Sequence, residues 1–124
     1  MKNAVLVLLI IAGITACYYD NEENLYPALN NFCDTTGLTF TGKVLPVFRT
    51  NCYSCHSAAD FAASGGNINL EDFNNLKQIA LSGTLMGVLT HDPRFSPMPK
   101  GGNKLDTCSI SKVKIWIDKG ILND

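Results

Sequence analysis

Positions 52–56 read CYSCH, two thiols separated by two residues with an imidazole directly after the second. Side chains of those types at that spacing serve three chemistries. The thiols can form thioethers to the vinyl groups of a haem, which places the histidine under the iron. Thiols and imidazole can instead supply three of the four ligands of a tetrahedral zinc site, the fourth coming from His91, Cys33 or Cys108. The third chemistry, a thioredoxin-like dithiol, is expected inside a βαβ pattern, and this chain shows no strand pattern of any length.

The compartment bears on the choice. The chain opens MKNAVLVLLIIAGITAC, in which Lys2 supplies a positive start and residues 4–14 form an unbroken apolar run of 11. Such a run is too short for a membrane-spanning helix, which needs about 20 residues, and suits a signal-peptide core. Its ending, Ile14-Thr15-Ala16-Cys17, resembles a bacterial lipobox, where the cysteine is lipidated and becomes the mature N-terminus. The expectation is a lipoprotein-type signal peptide over 1–16 and a lipid anchor on Cys17, with enough acyl chains for stable membrane attachment; simple secretion and an uncleaved anchor are the alternatives. Residues 17–38 are rich in Asn and acids and lack a sustained apolar period, as expected of a tether. As a flexible coil, the stretch from Cys17 to Cys33 would reach roughly 20 Å.

Charge excludes one class of partner. The chain carries 10 basic and 11 acidic side chains, and loss of Lys2 with the signal leaves a net charge of −2. No basic footprint for nucleic acid is present. The distribution is uneven: residues 17–42 contain Asp20, Glu22, Glu23 and Asp34 without a Lys or Arg, whereas residues 100–124 contain five lysines. A solvated surface and a docking face are both compatible with that pattern.

The elements that position the motif are all helical. In TFTGKVLPVFRTN, Val44, Val47 and Phe48 share a face, Pro46 is tolerable only in a first turn, and the helix runs straight into CYSCH. SAADFAASGGN reads as a loop with a Gly65-Gly66 turn. Asn69 can cap LEDFNNLKQIAL, whose buried stripe is Leu70, Phe73, Leu76 and Ala80. TLMGVL adds a helical turn or two, and HDPRFSPMPKGGN, with three prolines and two glycines, cannot be helical. Asp106 or Thr107 caps CSISKVKIWIDK, with Ile110, Val113, Trp116 and Ile117 as its apolar face and Gly120 ending it. The fold class is all-α, with a core too small to be comfortable unaided.

Three features agree with haem attachment: export, a helix leading into the motif, and Met98 in a Pro/Gly-rich loop 42 residues after His56. Met98 competes for the distal position with His91 in the same loop and with Met86, which sits at helical spacing where methionine usually fills core.

TFTGKVLPVFRTNCYSCH, SPMPKGGNKL and the WIDKG ending together cover roughly residues 39–122. In these stretches the chain resembles the small monohaem class I cytochromes c, particularly the bacterial lipoprotein versions. The resemblance implies a cytochrome c domain over 39–124, three to five helices around one covalent haem c. Its thioethers would be on Cys52 and Cys55, its proximal ligand His56 and its distal ligand Met98. It also implies that the first and last helices cross, with Trp116 near the haem or the crossing. Many members carry a Gly-Pro pair after the motif, whose proline carbonyl accepts the proximal imidazole hydrogen bond. Here the sequence is Ser64-Gly65-Gly66-Asn67, with no proline between His56 and Pro93, so the motif does not specify that acceptor.

The function so implied is a non-enzymatic, membrane-tethered carrier of single electrons between redox proteins of the cell envelope. The lipid would hold it at the periplasmic face or the cell surface of the outer membrane. Tyr18 rather than Asp follows Cys17, so no inner-membrane retention signal is evident, and YYDNEE loosely resembles a surface-export signal. Two other readings stand beside it. One is a haem-based sensor or peroxidase-like enzyme with an open distal site, for which His91 is the polar candidate; the other is a haem subunit of a larger respiratory complex. With Cys17 lipidated and Cys52 and Cys55 on haem, Cys33 and Cys108 are left over, and in an oxidising compartment they are expected to be bonded to each other. Separate thiols, or a link from Cys33 to another molecule, are the alternatives.

Overall fold

The computed structural model describes residues 33–124. The signal peptide read over 1–16, the lipid site Cys17 and the tether as far as residue 32 lie outside the described residues. A compact unit runs from Asp34 to Asp124. It takes in the last residues assigned from sequence to the tether: Leu38 is buried, and Lys43 Nζ donates to the Asp34 carboxylate at 2.6 Å and to the Thr36 carbonyl at 2.6 Å.

Among the described residues there are five α-helices and no strand, an all-α architecture. A π-helical turn, Phe40–Val44, leads into α1 (Leu45–Asn51), then α2 (Tyr53–His56), α3 (Phe73–Leu81), α4 (Thr84–Thr90) and α5 (Thr107–Asp118). None is long and apolar enough to cross a membrane.

Proline explains the unusual entry. Pro46 stands in the first turn of α1, where its missing N–H is no loss. The turn before it is wider, closed by Leu45 N–H to the Phe40 carbonyl, a geometry that can accommodate a proline ring. Thr39 caps this turn by accepting from the Gly42 amide, and Asp124 accepts from the Phe40 and Thr41 amides at 2.7 and 2.9 Å. Donors that no helical carbonyl can reach are thereby satisfied.

The apolar stripes read from periodicity converge on one core, except for Ile110, which is only half-buried and not among the residues packed against it. Val44, Phe48, Leu76, Val113 and Trp116 are the largest fully buried side chains. Trp116 lies where the first and last helical segments meet, its ring 5.2 Å from Phe40, 6.3 Å from Phe48 and 6.2 Å from Phe73. Its indole N–H donates to the Leu122 carbonyl at 2.8 Å, so burial leaves no orphaned donor. Truncating a buried aromatic of this size typically costs about 3–5 kcal/mol.

Helix ends follow local chemistry, with one correction. Asp106 caps α5 by accepting from the Ser109 amide at 2.9 Å. At the other end Gly120, at φ 99°, closes a Schellman motif. Its amide donates to the Ile117 carbonyl, and the amide of buried Ile121 donates to Trp116. Asn69, expected to cap α3, does not. Its side chain accepts from the Glu71 amide at 2.9 Å in an Asx turn, and the cap is Asp72, which accepts from the Asn75 amide. Two acceptor side chains three residues apart compete for such donors, and the loop's Asx turn takes Asn69 out of the competition.

Candidate functional site

The CYSCH segment is a helix continued past a break. Cys52 carries its amide on to the Phe48 carbonyl at 2.8 Å, but its own φ of −124° ends α1. The chain then turns once more, with the Cys55 and His56 amides both donating to the Cys52 carbonyl at 3.1 and 2.9 Å. One short turn therefore carries both thiols and the imidazole. Cys52 packs against the core, and burial pushes its thiol up to about 11. A thiol so raised stays protonated at neutral pH, the opposite of the lowered values that activate dithiols. Cys52 and Cys55 are free, whereas Cys33 and Cys108 are disulfide-bonded, at disulfide distance from one another as the cysteine count anticipates.

His56 is oriented by a backbone carbonyl. Its Nδ1 lies 2.9 Å from the Ile68 oxygen; because a carbonyl only accepts, Nδ1 carries the proton and donates. In the neutral ring Nε2 is then a lone-pair donor, the state a metal ligand requires. The loop that brings Ile68 back is fastened at both ends: the Leu70 amide donates to the His56 carbonyl at 2.9 Å, and the Ile68 amide to Gly65 at 3.1 Å. Gly65 is buried against the motif, where a Cβ would run into the Cys55 carbonyl oxygen and stand 2.9 Å from the Phe61 Cα and 3.0 Å from His56 Nδ1. Only glycine allows the loop to approach so closely. Gly66 and Asn67, at φ 59° and 62°, then make the reversal. Neither the Ile68 acceptor nor the Gly65 contact was foreseen. A glycine doublet hints at close approach, but every residue has a carbonyl, so Ile68 carries no signal of its own.

Met98 sits on a separate element, the loop after α4. Its amide donates to the Val88 carbonyl at 3.1 Å, and its carbonyl accepts from the His91 ring Nε2 at 3.0 Å. The same loop is tied down by the Asp92 amide to Gly87 and by the Asp92–Arg94 pair, whose guanidinium hydrogen bond holds the Asp92 carboxyl down to about 2. Phe95 lies on Gly87, where a Cβ would overlap its ring. Met86 packs against the core as a filling residue.

Among the described residues no group of three or more His, Cys, Asp and Glu side chains is placed to hold a metal ion. Cys33 and Cys108, two of the three candidates for a fourth zinc ligand, are engaged in disulfide bonding. The donor set on the CYSCH turn does fit a haem: two unbonded thiols three positions apart, and an adjacent imidazole with Nε2 left as its lone pair. A shallow recess of about 330 Å³ lies elsewhere, lined by Phe40, Leu45, Arg49, Tyr53, Glu71 and Phe73, and includes neither thiol, His56 nor Met98.

No family model, no curated protein and no solved structure matches this chain.

Proposed function

We propose that this chain is a monohaem c-type cytochrome of small class I type, tethered to a membrane through lipid on Cys17, that passes single electrons between redox proteins of the cell envelope. The observation that carries the reading is the placement of His56: its Nδ1 lies 2.9 Å from the Ile68 carbonyl oxygen, which turns Nε2 away from that contact, beside two unbonded thiols. Cys52 and Cys55 would hold the haem through thioethers to its vinyl groups. His56, its ring orientation set by Ile68, and Met98, on its own anchored loop, would ligate the iron. When bound, the haem supplies the one-electron couple. The chain would contribute ligand choice, burial and a docking surface, for which Lys100, Lys104 and Lys112 offer charge, Lys114 being paired with Asp118 and Lys119 donating to the Leu38 carbonyl.

Optical spectra of the purified protein test this reading. The oxidised protein should show the far-red sulfur-to-iron charge-transfer band, lost in Met98→Ala. Carbon monoxide binding to the folded, reduced protein would favour the sensor or peroxidase-like alternative, and co-purification with a large partner would favour a respiratory subunit.

A further inference from the structure

The segment that presents Met98 cannot hold itself in place. Met98 lies between Pro97 and Pro99, which have no amide hydrogen, so within 97–99 the Met98 amide is the one backbone donor. Residues preceding proline disfavour helical conformation, and the turn closed by the Gly102 amide on the Pro99 carbonyl at 3.0 Å lies beyond Met98. Its attachment therefore depends on α4 and the residue that ends it. That residue is His91, at φ 57°, in the left-handed region where a bulky side chain is uncommon and glycine is the usual occupant. A helix that needed only to stop would use glycine there. Holding an imidazole in that conformation puts Nε2 3.0 Å from the Met98 carbonyl oxygen, while the Met98 amide reaches Val88 in the last turn of the same helix at 3.1 Å.

We propose that His91 is the positioning residue of the distal loop: its ring N–H, given to the Met98 carbonyl, and the Met98 amide bond to Val88 together clamp the backbone on both sides of the Met98 side chain. This rests on the reading of Met98 as distal ligand, and it recasts His91 from a competing ligand to the group that secures the ligand. The donor is a ring N–H, so the role asks only that this nitrogen keep its proton. An amide of similar reach can replace it, and a side chain without a donor cannot.

The test uses the holoprotein and three chains: wild type, His91→Gly, which removes the ring without left-handed strain, and His91→Gln, which restores an N–H donor. Loss of one ordinary hydrogen bond should raise the population of detached loop about fivefold. In His91→Gly the Met98 amide should exchange with deuterium about fivefold faster. Imidazole added to the oxidised protein should abolish the far-red band at about fivefold lower concentration. His91→Gln should recover most of both effects, and circular dichroism should show the same helix content in all three chains. Equal exchange rates and equal imidazole sensitivity in wild type and His91→Gly would overturn the proposal. If the wild type has no far-red band, the distal assignment of Met98 has failed, and the exchange arm alone decides whether His91 secures the loop.

Discussion

His56 Nδ1 donates to the backbone carbonyl of Ile68, 12 residues further on, at 2.9 Å. A side-chain acceptor could be lost by a single substitution, but a carbonyl can be moved only by moving the loop. The conformation of the 57–68 segment therefore governs the imidazole, and Gly65 and Gly66 govern that segment in different ways. A Cβ at Gly65 meets main-chain atoms, the Cys55 oxygen and the Phe61 Cα, neither of which can swing aside. A Cβ at Gly66 meets nothing within 4 Å, but its φ of 59° is strained for alanine.

Gly65→Ala should accordingly lower stability by about 1–3 kcal/mol through overpacking. Gly66→Ala should cost about 1 kcal/mol through backbone strain alone. Urea unfolding followed by circular dichroism measures both. In the reduced protein, the His56 ring-proton NMR resonances should shift in Gly65→Ala and stay in place in Gly66→Ala.

The N-cap of α5 has a defined pH signature. Hydrogen bonds from the Ser109 hydroxyl and amide hold the Asp106 carboxyl below the usual carboxylate range. A carboxyl lowered on folding contributes stability that is present above its unfolded value near 3.9 and is lost as pH falls through the folded value. Asp106→Ala should thus be less stable than wild type by about 1 kcal/mol at pH 7. That difference should shrink below about pH 4, while Asp106→Asn, a good cap without a titrating group, should stay near wild type. Unfolding midpoints across pH 2–7 provide the check.

Most helices were legible because their signals are local. Val44, Val47 and Phe48 at helical spacing, the Asp106 cap and the Gly120 stop each depend on neighbours in sequence, and each is found where the periodicity puts it. The cap of α3 was misplaced because Asn69 and Asp72 are equally good acceptors, and only the packed loop decides that Asn69 is used in an Asx turn. The thiols and His56 were legible as a motif. The His56 and Met98 hydrogen bonds were not, since both end on backbone carbonyls brought up by tertiary structure.

The disulfide assignment predicts the thiol count. In denatured, unreduced protein neither Cys33 nor Cys108 should react with a thiol reagent, and both should react after reduction. A bridge between them closes a loop of about 75 residues, which chain entropy values at about 4 kcal/mol as an upper figure, because the proposed covalent haem would also restrain the unfolded chain. Cys33→Ser and Cys108→Ser should each lower the unfolding midpoint by a similar amount and leave the haem spectrum unchanged.

Lipid on Cys17 predicts a mass. Protein extracted from membranes should begin at Cys17 and carry acyl chains by intact-mass analysis, and Cys17→Ser should be recovered without them. An unmodified soluble wild-type species would remove the tether from the account.

The most direct test of the central claim is acid–organic extraction of the purified protein. Covalent attachment through Cys52 and Cys55 predicts that haem absorbance stays with the polypeptide, and that the Cys52→Ala, Cys55→Ala double variant releases it or never acquires it. Haem recovered free in the organic phase from the wild type, or wild-type protein expressed with a haem-maturation system that carries no haem, would contradict the account.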